Sequence, residues 1–287
     1  MTTIETRSHV GHAVHRFRDG AWKQADDVLA AEEPLETRLI WKEGRRTVTR
    51  SIAVTMRTPG NDFELAAGFL HGEGILAQRE DVADISYCTD EDEDQAFNIV
   101  TVTLRPGLVF DAARLERNFY TTSSCGVCGK AALESLEVQG CDIVPGGFRV
   151  ASDVVCGLPA KLRAAQAVFE RTGGLHAAGL FDRDGRLLSL QEDVGRHNAV
   201  DKLIGERLLE GALPLSDSIL MLSGRASFEL LQKALVARIP VVAAVGAPSS
   251  LAVQLAESFN ITLCGFVKAD SLNVYTAPER VVASPSP

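Results

Sequence analysis

From residue 158 onward the chain alternates short apolar segments with longer amphipathic ones, and this alternation constrains the fold more than any other feature. The apolar segments predict strands at residues 175–181, 187–190, 219–222, 241–244 and 261–267. The amphipathic segments predict helices at residues 158–171, 196–210, 228–237 and 251–259. Such alternation is typical of a layered α/β domain with helices on the faces of a sheet, here expected over residues 151–277.

The first part of the chain predicts a different organisation. Residues 1–35 are polar and mixed, which indicates a loosely attached arm with one strand. Residues 36–115 predict a small α+β domain. Its expected elements are a hairpin turning at Glu43 and Gly44 with strands at 39–41 and 47–56, a helix that starts after the N-cap Asn61 and ends near Gly72, and strands at 82–87 and 99–104. Residues 116–150 are expected to form a linker, and residues 278–287 a disordered tail.

Composition and charge exclude several classes of protein. The chain has 287 residues, of which 46% are hydrophobic, so it can build a core without disulfides. Its net charge of -9 argues against a general nucleic-acid binder. The most apolar stretch, 236–253, contains Arg238 and Pro240, which argues against a membrane span. The polar start of the chain lacks the apolar run of a secretory signal, so we expect a cytoplasmic location.

The segment 121–130, T-T-S-S-C-G-V-C-G-K, carries two thiols on a polar, glycine-flanked loop. Lys130 and a helix beginning near Gly129 would favour the nucleophilic thiolate form of Cys125 and Cys128. Two thiolates at this spacing also make half of a structural zinc site, but no second pair supplies the other half. A dithiol redox site is a further alternative, although the strand-to-helix setting of thioredoxin-like motifs is missing.

Polar clusters follow the predicted strands, where an open α/β sheet usually forms its ligand crevice. The candidate anion-binding residues in these clusters are Arg196, His197, Ser223, Arg225 and Ser249. An ordinary capping role for the serines is the alternative interpretation. The chain has neither the phosphate-binding loop of an ATPase nor the glycine fingerprint of a dinucleotide dehydrogenase.

His176 raises the possibility of a zinc deaminase, whose signature places a glutamate two residues after the histidine. Ala178 occupies that position here, and the C-x-x-C pair lies upstream of the histidine instead of downstream. Deaminase chemistry is therefore not expected, and no metal site is predicted.

Several motifs, taken together and in order, resemble one family. They are T-P-G-N-D-F-E-L-A-A-G-F-L at 58–70, S-S-C-G-V-C-G-K at 123–130, G-G-L-H-A-A-G-L-F at 173–181, E-D-V-G-R-H-N-A-V-D-K at 192–202, S-G-R-A-S-F-E at 223–229 and G-F-V-K-A-D-S-L-N-V-Y-T at 265–276. Over residues 40–277 the chain resembles the formate dehydrogenase accessory sulfurtransferase family, FdhD. The family fold implies a cytidine-deaminase-like C-terminal domain without zinc.

The resemblance implies a sulfur carrier. A cysteine desulfurase would hand a sulfane sulfur to Cys125, with Cys128 as partner or alternate acceptor. The persulfide would then deliver sulfur to the bis(molybdopterin guanine dinucleotide) cofactor of molybdenum or tungsten before its insertion into apo-formate dehydrogenase. A guanine nucleotide would mimic that substrate.

The family's cofactor-contacting segment would map to residues placed directly after a strand, namely Phe266, Val267, Lys268, Ala269, Asp270 and Ser271. In this mapping Lys268 would meet a phosphate and Asp270 a guanine edge. The family carries a more basic or glycine-rich run where this chain has 269–271.

Sequence and resemblance together predict a two-domain α/β sulfurtransferase. A homodimer is expected because a bis-nucleotide substrate has two equivalent ends that a two-fold assembly could match. The alternative function is a non-catalytic chaperone that binds the cofactor or the apo-dehydrogenase, with the cysteines incidental.

Overall fold

The computed structural model describes residues 8–88, 97–110 and 141–283. In chain order its helices and strands are β1 (His9–Arg18), β2 (Ala21–Ala30), β3 (Glu33–Glu43), β4 (Arg46–Arg57), α1 (Asp62–Gly72), β5 (Val82–Tyr87), β6 (Ile99–Leu104), β7 (Val150–Ala151), α2 (Ser152–Ala165), α3 (Ala167–Thr172), β8 (His176–Phe181), β9 (Leu187–Asp193), α4 (Arg196–Leu209), β10 (Ile219–Leu222), α5 (Phe228–Val236), β11 (Val241–Ala244), α6 (Ser250–Ser258), β12 (Thr262–Lys268), β13 (Ser271–Thr276) and β14 (Val281–Val282). No helix in these ranges is both long and apolar enough to cross a membrane.

The N-terminal part contains a four-stranded sheet in the order β4-β3-β6-β5. Its core face follows the two-residue period of a strand, because Leu35, Leu39 and Trp41 of β3 are buried while the alternate residues 36, 38 and 40 are partly exposed. Helix α1 covers this face with side chains of its apolar stripe. A separate hairpin, β1 paired with β2, precedes the sheet.

The C-terminal part is built on a six-stranded sheet in the order β13-β12-β11-β10-β8-β9. Strands β10, β11 and β12 are parallel, and β8, β9 and β13 run antiparallel to their neighbours. Leu220 and Leu222 face the layer formed by α4, α5 and α6, while Ile219 and Met221 face α2 on the opposite side. Both faces of the central strands are therefore covered, as expected for a layered α/β domain.

Two glycines allow α1 of the first part to cross α4 of the second at backbone contact. A Cβ placed on Gly205 would lie 2.7 Å from the backbone nitrogen of Gly68, and one on Gly68 would lie 2.9 Å from the backbone nitrogen of Gly205. Side-chain carbons do not approach backbone atoms this closely. The two parts of the molecule thus share a helix crossing that admits only glycine.

Much of the expected element order is confirmed. The mixed α/β class is observed, and the strands at 82–87, 99–104, 219–222 and 241–244 have their predicted bounds. The hairpin turns at Gly44 as expected, where φ is +59°. The cytidine-deaminase-like relationship stays a prediction.

Three expectations about local structure are wrong. The arm forms a hairpin of two ten-residue strands, β1 and β2, where one strand was expected. The helix expected at 158–171 begins at Ser152 and is interrupted at Gln166, so it is two helices. Residues 266–271 do not follow a strand, because 266–268 end β12 and Ser271 opens β13. The acidic run at 90–94 and residues 284–287 lie outside the described residues.

Candidate functional site

The predicted polar clusters meet at one edge of the six-stranded sheet, where the parallel strands end. His176 begins β8 and pairs with Asp193 at the end of β9. Ser223 follows β10, and its backbone N–H donates to the carbonyl of Ala177 at 3.0 Å. Helix α4 starts at this edge with Arg196. The antiparallel strands β8 and β9 therefore add residues to the loops after β10, β11 and β12, at the end of the sheet where an open α/β sheet usually forms its ligand crevice. This candidate binding position is called the crevice below.

Asp193 in the 192–202 motif is a buried structural hub. Its carboxylate lies 2.7 Å from Nζ of Lys202, and the two side chains are 0% and 2% exposed. It also accepts hydrogen bonds from the backbone N–H of Gly195 at 2.8 Å and from Nδ2 of Asn198 at 2.8 Å. Because a buried charge is stable only when it is paired and hydrogen-bonded, these motif residues hold the fold and do not face a ligand.

The same hub joins the two parts of the molecule through Thr58. The backbone N–H of Thr58 donates to Asp193 at 3.1 Å, and Nζ of Lys202 donates to the Thr58 carbonyl at 2.8 Å. The Thr58 hydroxyl accepts from the backbone N–H of Val194 at 3.2 Å. The motif at 58–70 thus contacts the motif at 192–202, and this contact fixes the start of α4.

Glu192, the first residue of that motif, is also structural. Its two carboxylate oxygens accept the backbone N–H groups of Val168 and Phe169 at 2.9 and 2.8 Å, which caps α3.

Arg196 and His197 are the motif residues left facing the crevice. Nε of Arg196 is buried and has no hydrogen-bond partner in the part of the chain that the structure describes.

His197 contacts the first turn of α5. Its Nε2 lies 2.8 Å from the Glu229 carboxylate and 3.3 Å from the Ser227 hydroxyl. The hydrogen bond from His197 lowers the pKa of Glu229 below its ordinary value, against the opposing effect of its partial burial. Both partners share one ring nitrogen, whereas a hydrolase triad places the acid and the nucleophile on opposite nitrogens. The arrangement therefore suits the binding of an anion better than the activation of a serine.

His197 and Asp201, four residues apart, lie on the same face of α4 and both contact α5. Asp201 lies 2.7 Å from Nζ of Lys233, one turn along α5 from Glu229. Equal four-residue spacing on α4 and α5 therefore produces two parallel contacts, one at the crevice and one in the interior.

His176 belongs to the crevice, although it was not among the predicted binding residues. A Cβ on Gly224 would lie 3.4 Å from its Nδ1, so the imidazole rests beside the Gly224 backbone. Partial burial lowers the pKa of His176, and the nearby charges of Arg196 and His197 lower it further. The signal that could have identified it is its position at the start of the strand that pairs with β10.

The loops after β10, β11 and β12 form a hydrogen-bonded platform beside these side chains. The Gly246 N–H donates to the Gly224 carbonyl at 3.0 Å, and the Phe266 N–H donates to the Gly246 carbonyl at 3.2 Å. A Cβ on Gly246 would lie 3.0 Å from that Gly224 carbonyl, and one on Gly265 would lie 2.9 Å from Cδ of Pro248. Small residues are therefore needed where the loops meet.

Some of the predicted binding residues have structural contacts. The Ser249 hydroxyl caps α6 by accepting the Ala252 N–H at 3.2 Å, and the Ser223 hydroxyl accepts the Ala177 N–H at 2.8 Å. Both serines thus use a hydroxyl lone pair within the protein. Arg225 is exposed, and its guanidinium has no ion-pair partner among the described residues.

The segment 266–271 divides between core and surface. Val267 is 1% exposed and packs against α2, so its side chain cannot reach a ligand. Phe266 has φ of +52° and is 44% exposed beside the platform. The positive φ is unusual for a bulky residue and accompanies the bulge in β12. Lys268, Ala269, Asp270 and Ser271 are exposed at the β12–β13 turn.

Cys125 and Cys128 lie outside the described residues. The other four cysteines of the chain are described. Cys264 is 0% exposed, and burial raises its pKa to about 12. Burial also raises the pKa of Cys156 and Cys141. Cys88 is partly buried and lies 3.8 Å from the Arg38 guanidinium. Buried thiols with raised pKa values are poor nucleophiles, which disfavours Cys264, Cys156 and Cys141 as sulfur carriers.

The chain is similar to known proteins along most of its length. The model of the FdhD/NarQ family matches residues 31–282. A sulfur carrier protein FdhD from Streptomyces coelicolor is 53% identical over 274 residues, covering 93% of this chain and 94% of that protein. A sulfur carrier protein FdhD from Mycobacterium tuberculosis is 52% identical over 262 residues, covering 89% of this chain and 92% of that protein.

A solved structure has the same fold. It is the crystal structure of a protein assigned as a formate dehydrogenase accessory protein from Desulfotalea psychrophila, with a TM-score of 0.72 and 24% identity, covering 96% of this chain and all of that one. The match extends over both parts of the molecule described above. From the family model and the closely similar sulfur carrier proteins together, it follows that this chain belongs to the FdhD/NarQ family.

Proposed function

We propose that this protein is a sulfur carrier that receives a sulfane sulfur on Cys125 and delivers it to the bis(molybdopterin guanine dinucleotide) cofactor destined for formate dehydrogenase. In the loading step, the Cys125 thiolate attacks the terminal sulfur of a persulfide on a cysteine desulfurase. A persulfide then forms on Cys125 and the desulfurase recovers its thiolate, so sulfur and electrons balance. Relatives named sulfur carrier protein, about half identical to this chain, support the transfer of sulfur.

The observation that supports a nucleotide substrate is the group of candidate anion-binding residues at one edge of the sheet. Arg196 and Arg225 bring two positive charges to a crevice where α4 and α5 both begin. Helix N-termini and guanidinium groups favour phosphate, and a guanine dinucleotide carries a diphosphate. The exposed ring of Phe266 supplies an aromatic face beside that crevice for a base.

The roles of the two sulfur-bearing residues are tested by intact mass spectrometry after incubation with a cysteine desulfurase and cysteine. We expect the wild type to gain one sulfur atom that a reductant removes, and Cys125→Ala to lose the gain. Cys128→Ala separates a partner thiol from a dispensable one. Cys88→Ala is the matched control, because Cys88 is a partly exposed cysteine outside the C-x-x-C motif.

A second measurement separates sulfur transfer from a chaperone function. If Cys125→Ala still binds guanine nucleotide and still matures formate dehydrogenase fully, the cysteines are incidental and the protein is a non-catalytic chaperone. If binding persists and maturation is lost, the sulfur carrier function is supported. A homodimer with one crevice for each guanine dinucleotide end is part of this proposal, and sedimentation measures it directly.

A further inference from the structure

Among the described residues, Glu229 is the one carboxylate that contacts the cluster formed by Arg196, His197 and Ser227 in the crevice. It extends from the first turn of α5 to lie 2.8 Å from Nε2 of His197. Its side chain is 66% exposed, so it is not there to satisfy a buried charge. A carboxylate held by an imidazole between two helix N-termini shows that this position favours a negative charge.

The surrounding groups are donors that the carboxylate only partly satisfies. Nε of Arg196 is buried without a partner among the described residues, and the Ser227 hydroxyl is 3.3 Å from the same nitrogen of His197. Ser227 is the N-cap residue of α5 but makes no capping hydrogen bond with its side chain. Ser249, at the equivalent position of α6, does cap its helix. The Ser227 side chain therefore does not occupy the first N–H groups of α5.

We propose that a phosphate group of the nucleotide binds between the starts of α4 and α5, contacting Arg196, His197 and Ser227, and that Glu229 is the counter-ion it displaces. This inference rests on the proposed function, because it assigns one subsite of the same crevice. Glu229 acts as a specificity-determining residue: an anion must interact with His197 and the α5 N-terminus more strongly than the protein's own carboxylate does. The diphosphate of a guanine dinucleotide, with two negative charges and four non-bridging acceptor oxygens in total, meets that condition better than a single carboxylate or a halide.

The test measures the affinity of guanosine diphosphate, pyrophosphate and guanosine for the full chain by calorimetry. Glu229→Gln removes one negative charge near the bound phosphate, worth about a fivefold gain in affinity at a separation of about 4 Å in water. We expect that gain for guanosine diphosphate and pyrophosphate, and no change for guanosine. Glu257→Gln is the matched control, because Glu257 is exposed near the end of α6, whose start faces the crevice.

A double-mutant cycle locates the effect. His197→Gln should weaken guanosine diphosphate binding about tenfold, and the gain from Glu229→Gln should shrink in that background because the two residues share one contact. Weaker or unchanged diphosphate binding by Glu229→Gln, with the fold intact by circular dichroism, overturns the inference while the proposed function stands. Enhanced pyrophosphate binding with no nucleotide binding supports the subsite but removes the nucleotide from the proposed function. If none of the three probes binds to the wild type or to the variants, both the inference and the proposed function are overturned.

Discussion

The glycine crossing of α1 and α4 allows a quantitative test of how the molecule is held together. In Gly205→Ala the new Cβ would lie 2.7 Å from the carbonyl carbon of Glu64, about 1 Å inside an ordinary carbon contact. Backbone atoms cannot rotate away as a side chain can, so the two helices must separate. Overpacking of this kind costs about 1–3 kcal/mol or more, and the lost helix–helix contacts add to that cost. Since the clash involves backbone atoms, we place its cost at the upper end of that range. Alanine's higher helix propensity offsets about 1 kcal/mol, so we expect a net loss of at least about 2 kcal/mol.

The matched control is Gly157→Ala, because Gly157 lies inside α2 with no atom within 4 Å of a built Cβ. This variant should gain about 0.5–1 kcal/mol from helix propensity alone. Urea denaturation followed by circular dichroism measures the free energy of unfolding of both variants. Equal stability of Gly205→Ala and Gly157→Ala would refute the argument. In the double variant Gly68→Ala/Gly205→Ala we expect less than the sum of the two losses, since one separation of the helices accommodates both methyl groups.

Three further outcomes are expected. Asp193→Asn leaves Lys202 buried without its counter-ion and should lower the free energy of unfolding by about 3–5 kcal/mol in urea titrations, whereas the exposed-pair variant Asp217→Asn should change it by less than about 1 kcal/mol. Burial lowers the pKa of His71, so the unfolded state binds the proton more tightly and the free energy of unfolding falls as the pH drops below about 6.5. One histidine can contribute a slope of no more than about 1.4 kcal/mol per pH unit. His71→Gln should reduce the measured slope, and an unchanged slope would contradict the assignment to His71. Native-state alkylation mapped by mass spectrometry should leave Cys156 and Cys264 unmodified while Cys88 reacts, and equal labelling of Cys264 would show that its burial is not maintained.

The regular α/β region could be predicted from sequence because each strand and helix there carries its own periodic signal. The arm could not, since its strands expose Phe17 and Trp22 at 58% and 69% and bury no apolar stripe that would reveal a two-residue period. A local signal was present: Asp19 and Gly20 have φ of +53° and +77°, the backbone that an Asp-Gly hairpin turn requires. The β12–β13 turn was missed for a related reason, because the bulge at Phe266 interrupts alternation along β12.

Neighbouring residues of one sequence motif have different roles in the candidate site. Residues 192–198 look like one functional cluster in sequence, yet Glu192 caps a helix and Asp193 forms a buried ion pair, leaving Arg196 and His197 to face the crevice. Spacing alone cannot make this division, because the strand end and the helix start point successive side chains in different directions. His176 and Glu229 enter the site only through strand pairing and helix packing, which are long-range contacts that no local pattern encodes.

The position of α4 links the stability of the molecule to its binding chemistry. The first residues of this helix present Arg196 and His197 to the crevice, and the same helix is held by Thr58 through Asp193 and Lys202. A displacement of α1 relative to α4 should therefore move these two proposed binding residues relative to Glu229 and Ser227 on α5. Because phosphate contacts depend on hydrogen-bond geometry within a few tenths of an ångström, separation of the helices by about 1 Å in Gly205→Ala should weaken anion binding even where the chain stays folded. The N-terminal part of the chain thus acts on the crevice by fixing the start of one helix, although it contributes none of the described side chains at the proposed phosphate position.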